Sequence, residues 1–396
     1  MRWMYYHLVW AVMLFGWIMV FMNRLIISPL IIPIMKELNL TYAEAGFLVA
    51  AYFYAYVAIQ IPAGHFGDRI GRKKIIIAGT VLWSLTSIFT GLAQNFLQIF
   101  GFRLMTGLGQ GTYFGNDRPI ISSNTPKEKM GLGQGLSLTG MCVGMTLAIG
   151  LGGYLAQIFG WRITFIIIAA PALIFCLLVW KLIKEPKTSL TNQKISYHYF
   201  SAFKTKNMWL ISIAGLFSIY VFYVLGTWTP AIFMDVGVKE LAEASVFAAI
   251  FGFSGIPGLL VAGLLSDVFV RKNIKRKNLL TVIYFFQSLF IVLLGWSLQA
   301  KFSVWILALI VFVSGFFVWG IWGIIYAIIA EIIPKEIYGT TFGITNTIMM
   351  VGSILSPWVT GWIRDLTGSF IWGCYIAGIF SLLAGVIIFW VKETTR

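Results

Sequence analysis

The run Gly64-His65-Phe66-Gly67-Asp68-Arg69-Ile70-Gly71-Arg72-Lys73 separates two apolar stretches, near 45–64 and 75–93. Each stretch has about the 20 residues that a helix needs to cross roughly 30 Å of hydrocarbon. The glycines allow two helix ends to close on a short turn, and the clustered Arg and Lys mark the side of the membrane that retains positive charge. The run therefore reads as a tight basic connection between two membrane-spanning helices.

Outward from this turn the pattern repeats. Apolar stretches of spanning length occur near 8–32, 45–64, 75–93, 97–121, 132–158, 163–183, 209–231, 244–264, 279–299, 303–330, 339–363 and 370–391, so about twelve transmembrane helices are expected. The composition agrees: 59% of the 396 residues are hydrophobic and 11% charged, with mean hydropathy +0.87. These values lie far outside the soluble range. Short strands alternating polar and apolar residues are absent, which excludes an outer-membrane barrel. The first stretch is too long for a signal-peptide core and holds Asn23-Arg24, so it is expected to stay as a helix. Cys142, Cys176 and Cys374 fall in separate spans and are expected as packed thiols.

The formal charge of +15 is explained by position. With the N-terminus inside, 21 of the 29 Lys and Arg fall in cytoplasmic segments, including Arg69, Arg72, Lys73 and Lys74, against five in outer segments (Lys36, Arg162, Lys239, Lys301 and Arg364). That asymmetry is expected to place both termini in the cytoplasm and to direct the basic excess to lipid headgroups, not to nucleic acid, with a bacterial cytoplasmic membrane as the expected location.

The chain also repeats itself. Gly64, Asp68, Arg72 and Lys73 recur 199 residues later as Gly263, Asp267, Arg271 and Lys272. Pro126-Lys127-Glu128, Gly131, Gly135, Thr139, Val143 and Gly144 recur 208 residues later as Pro334-Lys335-Glu336, Gly339, Gly343, Thr347, Val351 and Gly352. The expected organisation is a six-helix half at 1–183, a polar linker at 184–207 and a second half at 208–396, with a cavity between pseudo-symmetric halves.

The quoted turn closely resembles the signature loop of the major facilitator superfamily. That resemblance implies a twelve-helix, all-α alternating-access transporter, with Gly64, Asp68, Arg69, Gly71, Arg72, Asp267 and Arg271 as gating residues. A narrower resemblance rests on Asn23-Arg24 with Ser28, Gln60-Ile61-Pro62-Ala63-Gly64, Arg103 through Gly107, Gln110, Gly115-Asn116-Asp117-Arg118, Pro126 and Gly160-Trp161-Arg162. These look like the anion:cation symporter group, with features of organophosphate antiporters, and imply a small organic anion as substrate. Proton-coupled members of that group usually carry acids where this chain has Asn23 and Gln110. Neither can titrate, so exchange or facilitated movement competes with proton symport.

Three arginines, Arg24, Arg103 and Arg118, lie inside spans, where charge is costly and points to function. Arg24 and Arg103 can share one depth below the outer surface. The spacing of 103, 110 and 118 keeps Arg103, Gln110 and Arg118 on one face of the fourth helix, which is expected to look into the cavity. Arg24 and Arg103 are expected to bind a carboxylate or phosphate. The alternatives are that Arg103 braces neighbouring helices through backbone carbonyls, that Arg24 meets lipid heads or a water file, and that Arg118 pairs with Asp117.

Asn23, Gln110, Tyr52, Tyr56, Tyr113, Tyr220, Tyr223, Trp319 and Asn346 complete the candidate substrate site, and Asp117 and Glu331 are the candidate proton carriers. Metal-ligand spacing, paired catalytic acids and a phosphate-cradling loop are absent, so neither an enzyme, a metal nor a cofactor is expected. The other partners are a coupling proton, sodium or counter-anion and membrane lipid, and the chain is expected as a monomer. Two other readings remain open: an exporter of a lipophilic drug or metabolite, disfavoured by Ala148-Ile149 where drug antiporters show Gly-Pro, and a transporter-derived sensor.

Overall fold

The computed structural model describes residues 4–185, 206–332 and 338–392. Of the expected linker only the ends are described, and Pro334, Lys335 and Glu336 of the second repeat lie outside the described residues. Among the described residues the secondary structure is entirely helical.

Each expected span falls on a helix or a broken helix. The first is α1 (Tyr5–Leu25) with α2 (Ile27–Leu38), followed by α3 (Tyr42–Ile70) and α4 (Arg72–Leu92). The fourth is split into α5 (Phe96–Gly111) and α6 (Phe114–Asn124). The fifth and sixth share α7 (Met130–Ala169), which is broken at Gly160, with α8 (Pro171–Leu182) completing the sixth. Then come α9 (Lys206–Asp235), α10 (Leu241–Phe253) with α11 (Gly255–Arg271), α12 (Arg276–Gln299), α13 (Val304–Ile332), α14 (Tyr338–Thr367) and α15 (Ile371–Phe389). Nine helical runs among the described residues are long and apolar enough on their own to cross a membrane. The pair α5 and α6 is not among them, because each piece is short and together they hold Arg103, Asp117 and Arg118.

The breaks follow from the sequence. Pro29 has no N–H with which to continue the ladder past the α1–α2 junction at Ile26. Gly71 closes the quoted turn at φ 115°, and Gly160 separates two spans at φ 77°, conformations that a side chain would strain.

The chain divides into two compact units. The first comprises Met1–Leu40, Phe47–Thr191 and Lys239–Ala249, and the second Thr41–Gly46, Asn192–Val238 and Ile250–Arg396. The opening turn of α3 thus groups with the second unit, where Asp365 accepts hydrogen bonds from Tyr42 N (3.0 Å) and Ala43 N (2.8 Å). The start of α10 groups with the first, where Gln157 accepts from Ala242 N at 2.8 Å.

The internal repeat reappears as packing. A Cβ at Gly144 of α7 would stand 2.5 Å from Ile18 O of α1, and one at Gly352 of α14 would collide with Leu216 O of α9. Small residues at these points let two helix backbones approach, which is how helices associate where hydrocarbon gives no hydrophobic drive.

Candidate functional site

In the first unit, α1, α3 and α5 converge on Arg24. Its Nε donates to the Tyr52 hydroxyl at 3.0 Å, and that hydroxyl donates to Gln110 Oε1 at 2.7 Å. The guanidinium carbon lies 4.7 Å from the ring centroid of Phe21, 5.2 Å from Tyr52 and 4.6 Å from Tyr56, distances at which aromatic faces stabilise a cation. Tyr52 and Tyr56 stack with centroids 5.5 Å apart. Asn23, Arg24, Arg103 and Gln110 are all at most 3% exposed.

Hydrogen-bond polarity fixes two amides. Arginine can only donate, so the single hydroxyl proton of Tyr52 must go to Gln110, which turns its oxygen toward Tyr52. Gln110 Nε2 is then a buried donor with no partner in the structure. Asn23 Nδ2 donates to Met19 O (3.0 Å) and Ile168 O (3.4 Å), which can only accept, and leaves Oδ1 as a buried acceptor with no partner. A buried polar atom left unpaired costs about 1–3 kcal/mol, so Gln110 Nε2 calls for an acceptor and Asn23 Oδ1 for a donor.

Arg103 does reach Arg24, but through the main chain. Its Nη1 donates to Asn23 O at 3.3 Å and its Nη2 to Arg24 O at 3.2 Å. The expected single face for Arg103, Gln110 and Arg118 stops after Gln110. The fourth span breaks at Thr112 and Tyr113, which puts Arg118 on a separate helix, α6. Arg118 instead pairs with the buried Asp117 at 2.5 Å and also donates to Gln134 and Ser137 of α7, while Trp17 Nε1 donates to Asp117 Oδ2 at 2.8 Å. Tyr113 is built into this packing: its hydroxyl donates to Met13 O at 3.0 Å and its ring meets Trp17, Trp83 and Phe175.

The turn that opened the reading is anchored to α6. Asp68 pairs with Arg72 across the turn at Gly71, Arg72 Nη1 donates to Gly115 O at 3.0 Å, and Gly67 leaves room for the Asn116 side chain. Glu185 accepts from Lys73 N at 3.2 Å, and Arg69 is exposed. In the second unit the counterpart uses a different base, since Asp267 pairs with Arg276 at 3.5 Å and Arg271 is exposed. Arg276 also holds Glu331 at 2.8 Å.

The remaining candidates belong to the second unit and are engaged there. Trp319 Nε1 donates to Phe251 O at 3.1 Å, Tyr220 Oη lies 3.5 Å from Thr360 Oγ1, Asn346 Oδ1 accepts from Tyr326 Oη at 3.3 Å, and Tyr223 packs edge-on to Phe222. Sequence reading missed Phe21 and Trp17. Their spacing from Arg24, three residues and seven, put both on the same face of α1 and could have identified them.

Comparison with known proteins agrees with this architecture. The family model of the Major Facilitator Superfamily matches residues 13–357 and 274–396. The hexuronate transporter of Bacillus subtilis (strain 168) is 25% identical over 90% of this chain and 86% of its own length. The probable sulfoacetate transporter SauU of Cupriavidus necator is 25% identical over 92% and 88%, and the probable galactarate/D-glucarate transporter GarP of Escherichia coli K12 is 23% identical over 90% and 87%. Among solved structures, a bacterial homolog to the human lysosomal transporter Spinster, inward-facing and occupied, superposes with TM-score 0.83 at 19% identity over 99% of this chain and 97% of that one. A D-xylose-proton symporter gives TM-score 0.83 at 18% identity over 98% and 99%. The chain belongs to the Major Facilitator Superfamily, whose members are multi-pass membrane transporters and not enzymes.

Proposed function

We propose that this protein carries a small organic anion of the sugar-acid or related carboxylate type across a bacterial cytoplasmic membrane by alternating access, with Arg24 binding the anionic group. The carrying observation is the chain Arg24–Tyr52–Gln110, which holds a buried guanidinium in one orientation among Phe21, Tyr52 and Tyr56. A pre-oriented guanidinium is suited to a planar carboxylate. Gln110 Nε2 and Asn23 Oδ1 offer a donor and an acceptor to a hydroxylated body. The hexuronate and galactarate/D-glucarate transporters among its relatives support this substrate class.

Asn23 and Gln110 cannot exchange protons, which favours exchange against a counter-anion, or facilitated movement, over proton or sodium symport. Asp68 and Arg72, with Asp267, Arg271 and Arg276, act in gating, and the unequal Lys and Arg distribution supports cytoplasmic termini. The exposure of apolar side chains such as Leu97 and Trp305 supports contact with membrane lipid around a monomer.

The test is thermal stabilisation of the purified protein by sugar acids, dicarboxylates, aromatic acids and organophosphates, with lipophilic cations as the competing class. A ligand at 100 times its Kd stabilises the folded state by about 2.7 kcal/mol. Sugar acids are expected to raise the melting temperature most. Stabilisation by lipophilic cations alone would overturn the proposal.

A further inference from the structure

We propose that Arg103 is a positioning residue, which sets the exit direction of the Arg24 side chain by gripping the main chain of α1, and does not touch the transported anion. The proposal rests on the reading of Arg24 as the anion's ligand.

The last four carbonyls of a helix lack intrahelical donors. α1 ends at Leu25, and the Met22 carbonyl is taken by Ile26 N at 3.1 Å. The next two, Asn23 O and Arg24 O, receive the two Nη groups of Arg103 at 3.3 and 3.2 Å. Two nitrogens of a fully buried guanidinium thus hold the carbonyls of Asn23 and Arg24. Charge-assisted bonds of this kind are stronger than neutral ones, and they fix a segment that the break before Pro29 would otherwise leave loose.

The same helix takes a second hold. Gln110 lies seven residues after Arg103, two turns along one face of α5, and reaches the Arg24 side chain through Tyr52. Both guanidinium carbons lie 5.2 Å from the Tyr52 ring centroid, so that ring is common to the two holds. α5 therefore grips Arg24 by its backbone through Arg103 and by its side chain through Gln110.

The two arginines should respond differently to the same conservative change. An ammonium can donate to carbonyl oxygens, but it cannot reproduce the paired N–H geometry that a carboxylate accepts. The experiment measures Kd for glucuronate and for galactarate in purified wild type, Arg103→Lys, Arg103→Met and Arg24→Lys, with a thermal melt confirming folding. Arg103→Lys should hold both Kd values within about threefold of wild type, while Arg24→Lys raises them more than about tenfold. Arg103→Met should weaken the monocarboxylate and the dicarboxylate by the same factor, because misplacing Arg24 affects every anion alike.

An Arg103→Lys as defective as Arg24→Lys, or an Arg103→Met that weakens galactarate selectively, would make Arg103 a direct ligand and overturn the proposal. Should Arg103→Met not fold, the Lys pair decides alone. An Arg24→Lys that binds normally would instead remove the Arg24 reading and, with it, the positioning role that depends on it.

Discussion

The Tyr52 hydroxyl donates to Gln110 Oε1 at 2.7 Å, and with its one proton spent there it can only accept from Arg24. A phenol thus links the buried cation of α1 to an amide of α5. Tyr52→Phe keeps the ring and removes both bonds. A hydrogen bond to a charged group contributes about 1.5–3 kcal/mol, so anion affinity should fall roughly ten- to hundredfold. Titration of the purified variant with a sugar acid measures it.

Gln110→Glu places a carboxyl group within one hydroxyl of Arg24. When ionised it competes with the substrate anion for the guanidinium, and when protonated it does not. Uptake by the variant should therefore rise as external pH falls from about 7.5 to about 5.5, opposite in sense to a loss of substrate affinity in acid. The wild type, with amides at 23 and 110, should show little change across that window. Uptake at the two pH values in proteoliposomes distinguishes them.

Asp117→Asn should act on stability. The carboxylate is fully buried and accepts from Arg118 and Trp17, so the substitution leaves Arg118 without its charge partner. Breaking a buried pair costs about 3–5 kcal/mol. The melting temperature should drop clearly, with no proton movement lost from substrate-driven flux. Substrate-driven acidification in wild type that disappears in Asp117→Asn would make Asp117 a proton carrier.

Gly144→Val and Gly352→Val should each destabilise the protein, because each inserts a side chain against a backbone carbonyl of the neighbouring helix, Ile18 O and Leu216 O. Overpacking of this kind costs about 1–3 kcal/mol, with similar melting shifts expected at the two repeat-related positions. Gly101→Ala, where a Cβ would meet nothing within 4 Å, is the control and should leave the melting temperature unchanged or slightly raised.

Much of the fold was legible in the sequence because the bilayer imposes one length scale on every span. The burial of Arg24 within the protein was legible for a related reason, since a cation in an apolar run has few explanations. For Arg103 two readings, anion ligand and brace on backbone carbonyls, stayed open in the sequence. Whether a buried guanidinium meets a ligand or a carbonyl depends on where another helix ends, and no periodicity within α5 records that. The break at Thr112 and Tyr113 also escaped the helical-face argument, which assumes an unbroken axis through a segment containing Gly107, Gly109 and Gly111. The repeat identified Asp267 as the counterpart of Asp68, yet its base is Arg276, supplied from beyond a turn whose length differs between the halves.

The most direct test of the central claim is counterflow. Proteoliposomes loaded with unlabelled glucuronate would be diluted into labelled glucuronate without a pH gradient, using wild type, Arg24→Ala and Arg24→Lys. The expected result is accumulation of label by wild type that varies little between about pH 6 and 8, and near-background traces for both variants, since neither alanine nor a point charge reproduces the guanidinium pair. Normal counterflow by Arg24→Ala would contradict the assignment of Arg24 as the anion's ligand.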